Sequence, residues 1–243
     1  MARKPNGCSK YLYLWKYYNM EQSKRRRVKL HLHLLGVKMY GAQIKRPDGS
    51  LWLSPNFTPV NLINRGNIGL AVGSIFQTSI PVSKACFFFV RMGNKSFNAF
   101  DQINVNGYHA LKLTHTYDNP GYIVVYAFAN MVTNPGSHGL AFYNEHGEMV
   151  YHGGMKPLEA YQVPVGGVTF DVDVGYLAAT TPTQTAVFTM PNTSVGGNDI
   201  FVAHGGAVGN RIYSTARQVA RGPGTAGIQY SSSMLVINAS KYD

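Results

Sequence analysis

From Met39 onward the chain consists of short β-branched or aromatic runs, each closed by Gly, Pro, Asn or Asp. No window of useful length carries a 3.6-residue apolar period, so strands rather than helices must supply the core. Runs at this spacing predict strands over 40–46, 51–53, 67–76, 85–92, 97–105, 110–116 and 122–129. A second set follows over 140–144, 148–152, 168–173, 175–179, 186–189, 200–203, 211–214 and 234–238. The fold class implied is all-β, of sandwich or barrel type. Asn106-Gly107, Asp118-Asn119-Pro120-Gly121 and Asn134-Pro135-Gly136 supply turns, because Gly and Asn tolerate positive φ and Pro presets its own. Ala85–Val90 is a continuous apolar run, as expected of a strand covered on both faces. Thr215–Val219 can form one helical turn before Gly222-Pro223-Gly224 stops it. The stretch HGGAVG at 204–209 reads as tight turns, since it lacks the strand–helix context and lysine of a phosphate loop.

One unit of this pattern occurs twice. Residues 41–60 read GAQIKRPDGSLWLSPNFTPV and residues 139–158 read GLAFYNEHGEMVYHGGMKPL, 98 residues further on. Gly41, Gly49 and Pro59 coincide with Gly139, Gly147 and Pro157. Apolar positions coincide as well: Ile44 with Phe142, Leu51 with Met149, Trp52 with Val150, Val60 with Leu158. Each copy reads as a β-hairpin, with turns at Pro47-Asp48-Gly49 and His146-Gly147. The organisation expected is a first β module over 39–135 and a second over 136–243, each a small β-sandwich opened by its hairpin. A single two-sheet body carrying two pseudosymmetric hairpins is the alternative.

Charge separates the N-terminal stretch from the rest. Residues 1–38 hold ten Lys/Arg and one acid, whereas residues 39–243 hold twelve Lys/Arg and ten acids. The body is thus nearly neutral, and its partners are not selected by bulk charge. The Lys24–Arg27 run with nearby tyrosines can track phosphates, so nucleic acid is a partner only if 1–38 belongs to the native protein. Leu35-Gly36-Val37 can be encoded across a bacterial ribosome-binding sequence, and Met39 is expected as the natural start. HLHLLGV is too short to span a bilayer, so no membrane span is expected.

Chemistry is sparse. The sequence contains no nucleophile elbow, P-loop, zincin or EF-hand motif, and no cofactor is expected. Cys8 and Cys86 are the two cysteines, and Cys86 within ACFFFV reads as a core thiol. Asp171 and Asp173 alternate and so share a strand face; such a pair can serve acid/base chemistry or Ca²⁺, though a solvated face is the ordinary reading. His31 and His33 alternate without a third ligand nearby. His138, His146 and His152 surround the second turn and can converge on a metal or a glycan. The first copy has Tyr40, Asp48 and Ser54 there, so that role would belong to one copy only.

The pattern Tyr-Gly-x-x-Ile-x-x-x-Asp-Gly-x-x-Trp-x-Ser-Pro at Tyr40–Pro55 resembles the opening of small virion proteins of tailed bacteriophages. The second copy is similar to a hairpin of tail-tip and tail-fibre-associated proteins, Gly-Leu-x-x-Phe/Tyr-Asn-x-x-Gly-x-x-x-Tyr/Phe followed by a Pro-hydrophobic pair. His152-Gly153 departs from the Asp-Ser-like turn of that pattern, and Lys45-Arg46 is polar. The resemblance implies a non-enzymatic virion component of the tail, made in the bacterial host cytoplasm and serving assembly or host adsorption. Its implied partners are other virion proteins, further copies of itself, or a host-surface glycan or receptor. A carbohydrate-binding β-sandwich is the alternative function, and no catalytic residue carries over.

Overall fold

A computed structural model describes residues 57–135, 139–192, 197–222 and 227–243, and the backbone alone at 30–31, 43–45 and 51–53. The fold is all-β and sandwich-like, with one 3₁₀ turn among the described residues, at Ala239–Lys241. In chain order the strands are β1 (Leu30–His31), β2 (Gln43–Lys45), β3 (Leu51–Leu53), β4 (Asn61–Asn67) and β5 (Ile75–Pro81). Then come β6 (Phe87–Met92), β7 (Phe97–Val105), β8 (Tyr108–Tyr117), β9 (Ile123–Ala129), β10 (Ala141–Tyr143) and β11 (Met149–His152). The remainder are β12 (Ala160–Pro164), β13 (Asp171–Asp173), β14 (Ala178–Thr180), β15 (Gln184–Pro191), β16 (Asn198–Val208), β17 (Arg211–Gly222), β18 (Ile228–Tyr230) and β19 (Ser233–Asn238). Among the described residues no helix is long and apolar enough to cross a membrane.

Eleven strands form one sheet along the path β12-β19-β14-β6-β16-β15-β18, with β9–β4 branching from β6 and β17–β13 from β16. A three-stranded sheet, β5-β8-β7, packs on part of it. Strand β9 shows why. Its sequence IVVYAFA is buried at every residue. Ile123, Val125, Ala127 and Ala129 face a core shared with Phe88, Val90, Met92, Leu111 and Leu113. Val124, Tyr126 and Phe128 face a second core with Phe89, Ala179, Ile237, Ala239 and Tyr242. Alternate side chains thus enter two cores, so the strand has no polar face. The run at 85–90 behaves alike at Phe88, Phe89 and Val90, while Phe87 is exposed.

The boundary expected at 135/136 falls between β9 and β10, and both pairing and packing cross it. Strand β6 pairs with β14 at Val90–Thr180 and, in parallel, with β16 at Met92–Val208. The second core draws residues from both sides of that boundary.

Three local expectations are corrected. The stretch 67–76 is not a strand: β4 ends at Asn67, a turn with Gly73 at φ 93° follows, and β5 begins at Ile75. Residues 215–219 lie within β17, where pairing with β16, interrupted by a bulge at Val219, overrides their helix-compatible composition. HGGAVG is not a run of turns: Gly205 and Gly206 sit inside β16, and only Gly209, at φ 56°, turns the chain. A Cβ on Gly206 would lie 2.7 Å from the Tyr213 ring and hydroxyl, and one on Gly205 would lie 2.3 Å from Met234 Cε. Glycine is there for close packing.

Candidate functional site

The repeated hairpins are built alike. In the second, Phe142 pairs with Tyr151 and Tyr143 with Met149, with a register shift between Phe142 and Tyr143. In the first, Ile44 pairs with Leu53 and Lys45 with Leu51, with the shift between Ile44 and Lys45. Those are equivalent residues in the two copies, so the repeat conserves pairing and bulge together. Gly147 turns at φ 78°, and Asn144 organises the loop: its Oδ1 accepts from His146 N and Glu148 N, and its Nδ2 donates to Glu148 at 2.7 Å. The equivalent residue of the first copy is Arg46, so the two turns share glycine and not side-chain chemistry. Gly139 has φ 143°. Gly41, Gly49 and the side chain of Trp52 lie outside the described residues, as do residues 1–29, His33 and Met39.

The exits of the hairpins meet. Asn61 bridges Pro157, Leu158 N donates to Val60 O at 2.8 Å, and Leu62 N donates to Lys156 O at 2.9 Å. Val60 and Leu158 are equivalent, so the exits run antiparallel across matching positions. The Pro59 carbonyl accepts from Asn61 Nδ2 at 3.2 Å, and Asn61 Nδ2 also reaches Met131 O at 2.5 Å.

The three histidines do not gather. His138 lies outside the described residues. His146 is exposed beside Glu145. His152 is buried: Nδ1 accepts from Gly154 N at 3.2 Å, and Nε2 faces the Thr133 carbonyl at 3.1 Å and its hydroxyl at 3.0 Å. Both ring nitrogens therefore have protein partners, and His152 ties the hairpin to the 131–135 connection. Among the described residues no three His, Cys, Asp or Glu side chains are placed to hold a metal.

Asp171 and Asp173 do share a face, since Arg211 lies against both. Asp171 accepts from Arg211 Nε at 2.7 Å and pairs with Lys95. The Lys95 hydrogen bond, aided by Arg211, holds its carboxyl below the usual carboxylate range, so it is anionic at neutral pH. Both Asp173 oxygens accept from Asn210 Nδ2 at 2.9 Å. Asp171 is thus held as an anion between Lys95 and Arg211. It lines an open cleft of about 400 Å³ with Lys95, Phe170, Thr169, Ser214 and Thr215. Cys86 lines a second, more apolar cleft, of about 210 Å³; burial pushes its thiol up to about 12, which makes it a poor nucleophile.

A surface that sequence reasoning missed lies at the outer end of β15–β18. Phe188 stands directly opposite Phe201 and Ile228, and the Phe188 and Phe201 rings stack at 5.0 Å. Met190 and Tyr230, two residues along, share that face. Met190, Ile228 and Tyr230 are 53%, 65% and 55% exposed. The charges on that face, Asp199 and Arg221, are compensated: Arg221 pairs with Asp199 at 2.7 Å. The two-residue alternation of VFTM and IQY was the available signal, and 228–230 was too short to read as a strand. Comparison with family models, with curated proteins and with solved structures found no match for this chain.

Proposed function

We propose that the protein is a non-catalytic structural component of a bacteriophage virion, of the tail tip or tail fibre, acting in assembly or host adsorption. The observation that carries this reading is the outer face of β15–β18, where Phe188, Phe201, Met190, Ile228 and Tyr230 form an apolar row whose charges, among the described residues, are paired with each other as Asp199 and Arg221. A contiguous exposed apolar patch of this kind suits burial against another protein surface. The repeated hairpins and their resemblance to phage tail proteins supply the biological setting. Mass spectrometry of purified particles tests it: the protein should be found at a fixed copy number, and its absence from virions rejects the reading.

A carbohydrate-binding role is the second reading. It is favoured by the cleft beside Asp171, where an ion pair, Phe170 and four hydroxyl residues line one opening. Charged pairs of this kind hydrogen-bond vicinal hydroxyls. A glycan array with Lys95→Ala as control separates it from a purely structural role.

A further inference from the structure

Residues 239–243, which follow β19, make contacts that neither reading uses. The Asp243 carboxylate accepts hydrogen bonds from Arg65 Nε (3.2 Å) and Nη2 (3.0 Å), from Arg91 Nη2 (3.1 Å) and from the Tyr126 hydroxyl (2.5 Å). The donors come from β4, β6 and β9, three neighbouring strands of the main sheet. Arg91 is fixed in place: Nε donates to the Tyr126 oxygen at 2.8 Å, Nη1 reaches the Tyr122 oxygen at 3.2 Å, and the side chain is 13% exposed. Two guanidinium groups held this close, on the strands that flank β9, repel each other. A planar carboxylate between them removes that repulsion and meets their donors.

The same segment grips the exit of the second hairpin. The Tyr242 ring is buried edge-on to Phe128 at 4.9 Å. Its hydroxyl donates to Pro157 O and accepts from Glu159 N, both at 2.8 Å. Lys156 Nζ donates to the Asp243 backbone oxygen at 3.4 Å, and Lys241 pairs with Glu159. On the opposite side residues 156–158 pair with 60–62. The exit is therefore held between β4 and residues 239–243.

We propose that Arg65, Arg91 and Tyr126 form a carboxylate-binding site, filled by Asp243, whose occupancy locks the exit of the second hairpin against the sheet. Emptying the site frees residues 156–159 on one side and lets β10–β11 move relative to the sheet. The ligand class is a carboxylate, from this chain or from a small organic acid. The ionisable groups that face it are Arg65, Arg91, Tyr122, Tyr126, Lys156, Lys241, Glu159 and Tyr242. Burial alone would raise the Asp243 pKa, but the Tyr126 hydrogen bond and the charges of Arg91 and Arg65 hold it below the usual carboxylate value. The inference does not depend on a virion role.

Hydrogen exchange on the full chain tests it. In Asp243→Ala, amides of residues 149–162 should exchange about tenfold faster or more, while those of 203–214 keep their protection. Excess acetate at constant ionic strength should restore the lost protection, and chloride should not. Unchanged exchange at 149–162 overturns the proposal, as does a local loss that acetate fails to repair. Should Asp243→Ala lose protection throughout, Arg65→Gln is read in the same way. It keeps Arg91 and Tyr126: local loss at 149–162 supports the site, and no loss overturns it.

Discussion

His204 is a residue whose charge the fold opposes. Its ring lies edge-on to Phe97 at 5.1 Å, and its buried Nδ1 has no hydrogen-bond partner among the described residues. Burial, then the neighbouring His115 of β8, hold its pKa below the ordinary histidine value, against a smaller opposing pull from Asp101 of β7. The unfolded chain takes up this proton near pH 6.5, and the folded one resists it. Stability from this group is therefore present above about pH 6.5 and is lost as pH falls through the folded value. Melting temperature should decline between about pH 7 and pH 5, and His204→Gln should reduce that slope; equal slopes would remove His204 as the cause. In the second hairpin Asn144→Ala should cost about 1–2 kcal/mol of local stability, read as faster amide exchange at His146 and Glu148. At this scale the sequence revealed that Asp171 and Asp173 share a face, because strand alternation is local. It could not reveal that Lys95 and Arg211 neutralise Asp171, since those partners lie 76 and 40 residues away.

Elements were legible where one cause dominated. Alternation and turn residues located β7, β8 and β9, whose pairing is with immediate chain neighbours or the buried centre. Reading failed where distant pairing decided conformation. Strand β17 carries Thr-Ala-Arg-Gln-Val, a helix-compatible composition, yet it pairs with β16 on both sides of a bulge at Val219. The glycines of HGGAVG looked like turns because the side chains that need their space, Tyr213 and Met234, are remote in sequence. The Tyr213 hydroxyl is also a hydrogen-bond partner of Ser96 N at 3.1 Å, which limits how far its ring can move. Gly206→Ala should therefore destabilise the protein by about 1–3 kcal/mol, measured by denaturant unfolding, whereas Gly73→Asn, in an open turn with φ 93°, should cost less.

For the whole molecule, the all-β class and the presence of a repeat were legible, but the partition into strands of one large sheet was not. That partition depends on pairings such as Val90–Thr180, between residues separated by the entire second hairpin. With Phe89, Tyr126 and Phe128 packed on Ile237 and Tyr242, described residues on both sides of the 135/136 boundary share a core. The full chain should unfold in a single cooperative transition, and neither half expressed alone should show one; two separable transitions would restore independent modules. The meeting of Val60 and Leu158 carries a further consequence. Contact between equivalent positions of two copies is what a two-fold homodimer makes, and here one polypeptide makes it with itself. Joined by 98 residues of chain, the pair is held at an effective concentration that dilution cannot lower. The paired exits at 60–62 and 156–158 should stay together at nanomolar protein or below, where a separately encoded pair would drift apart.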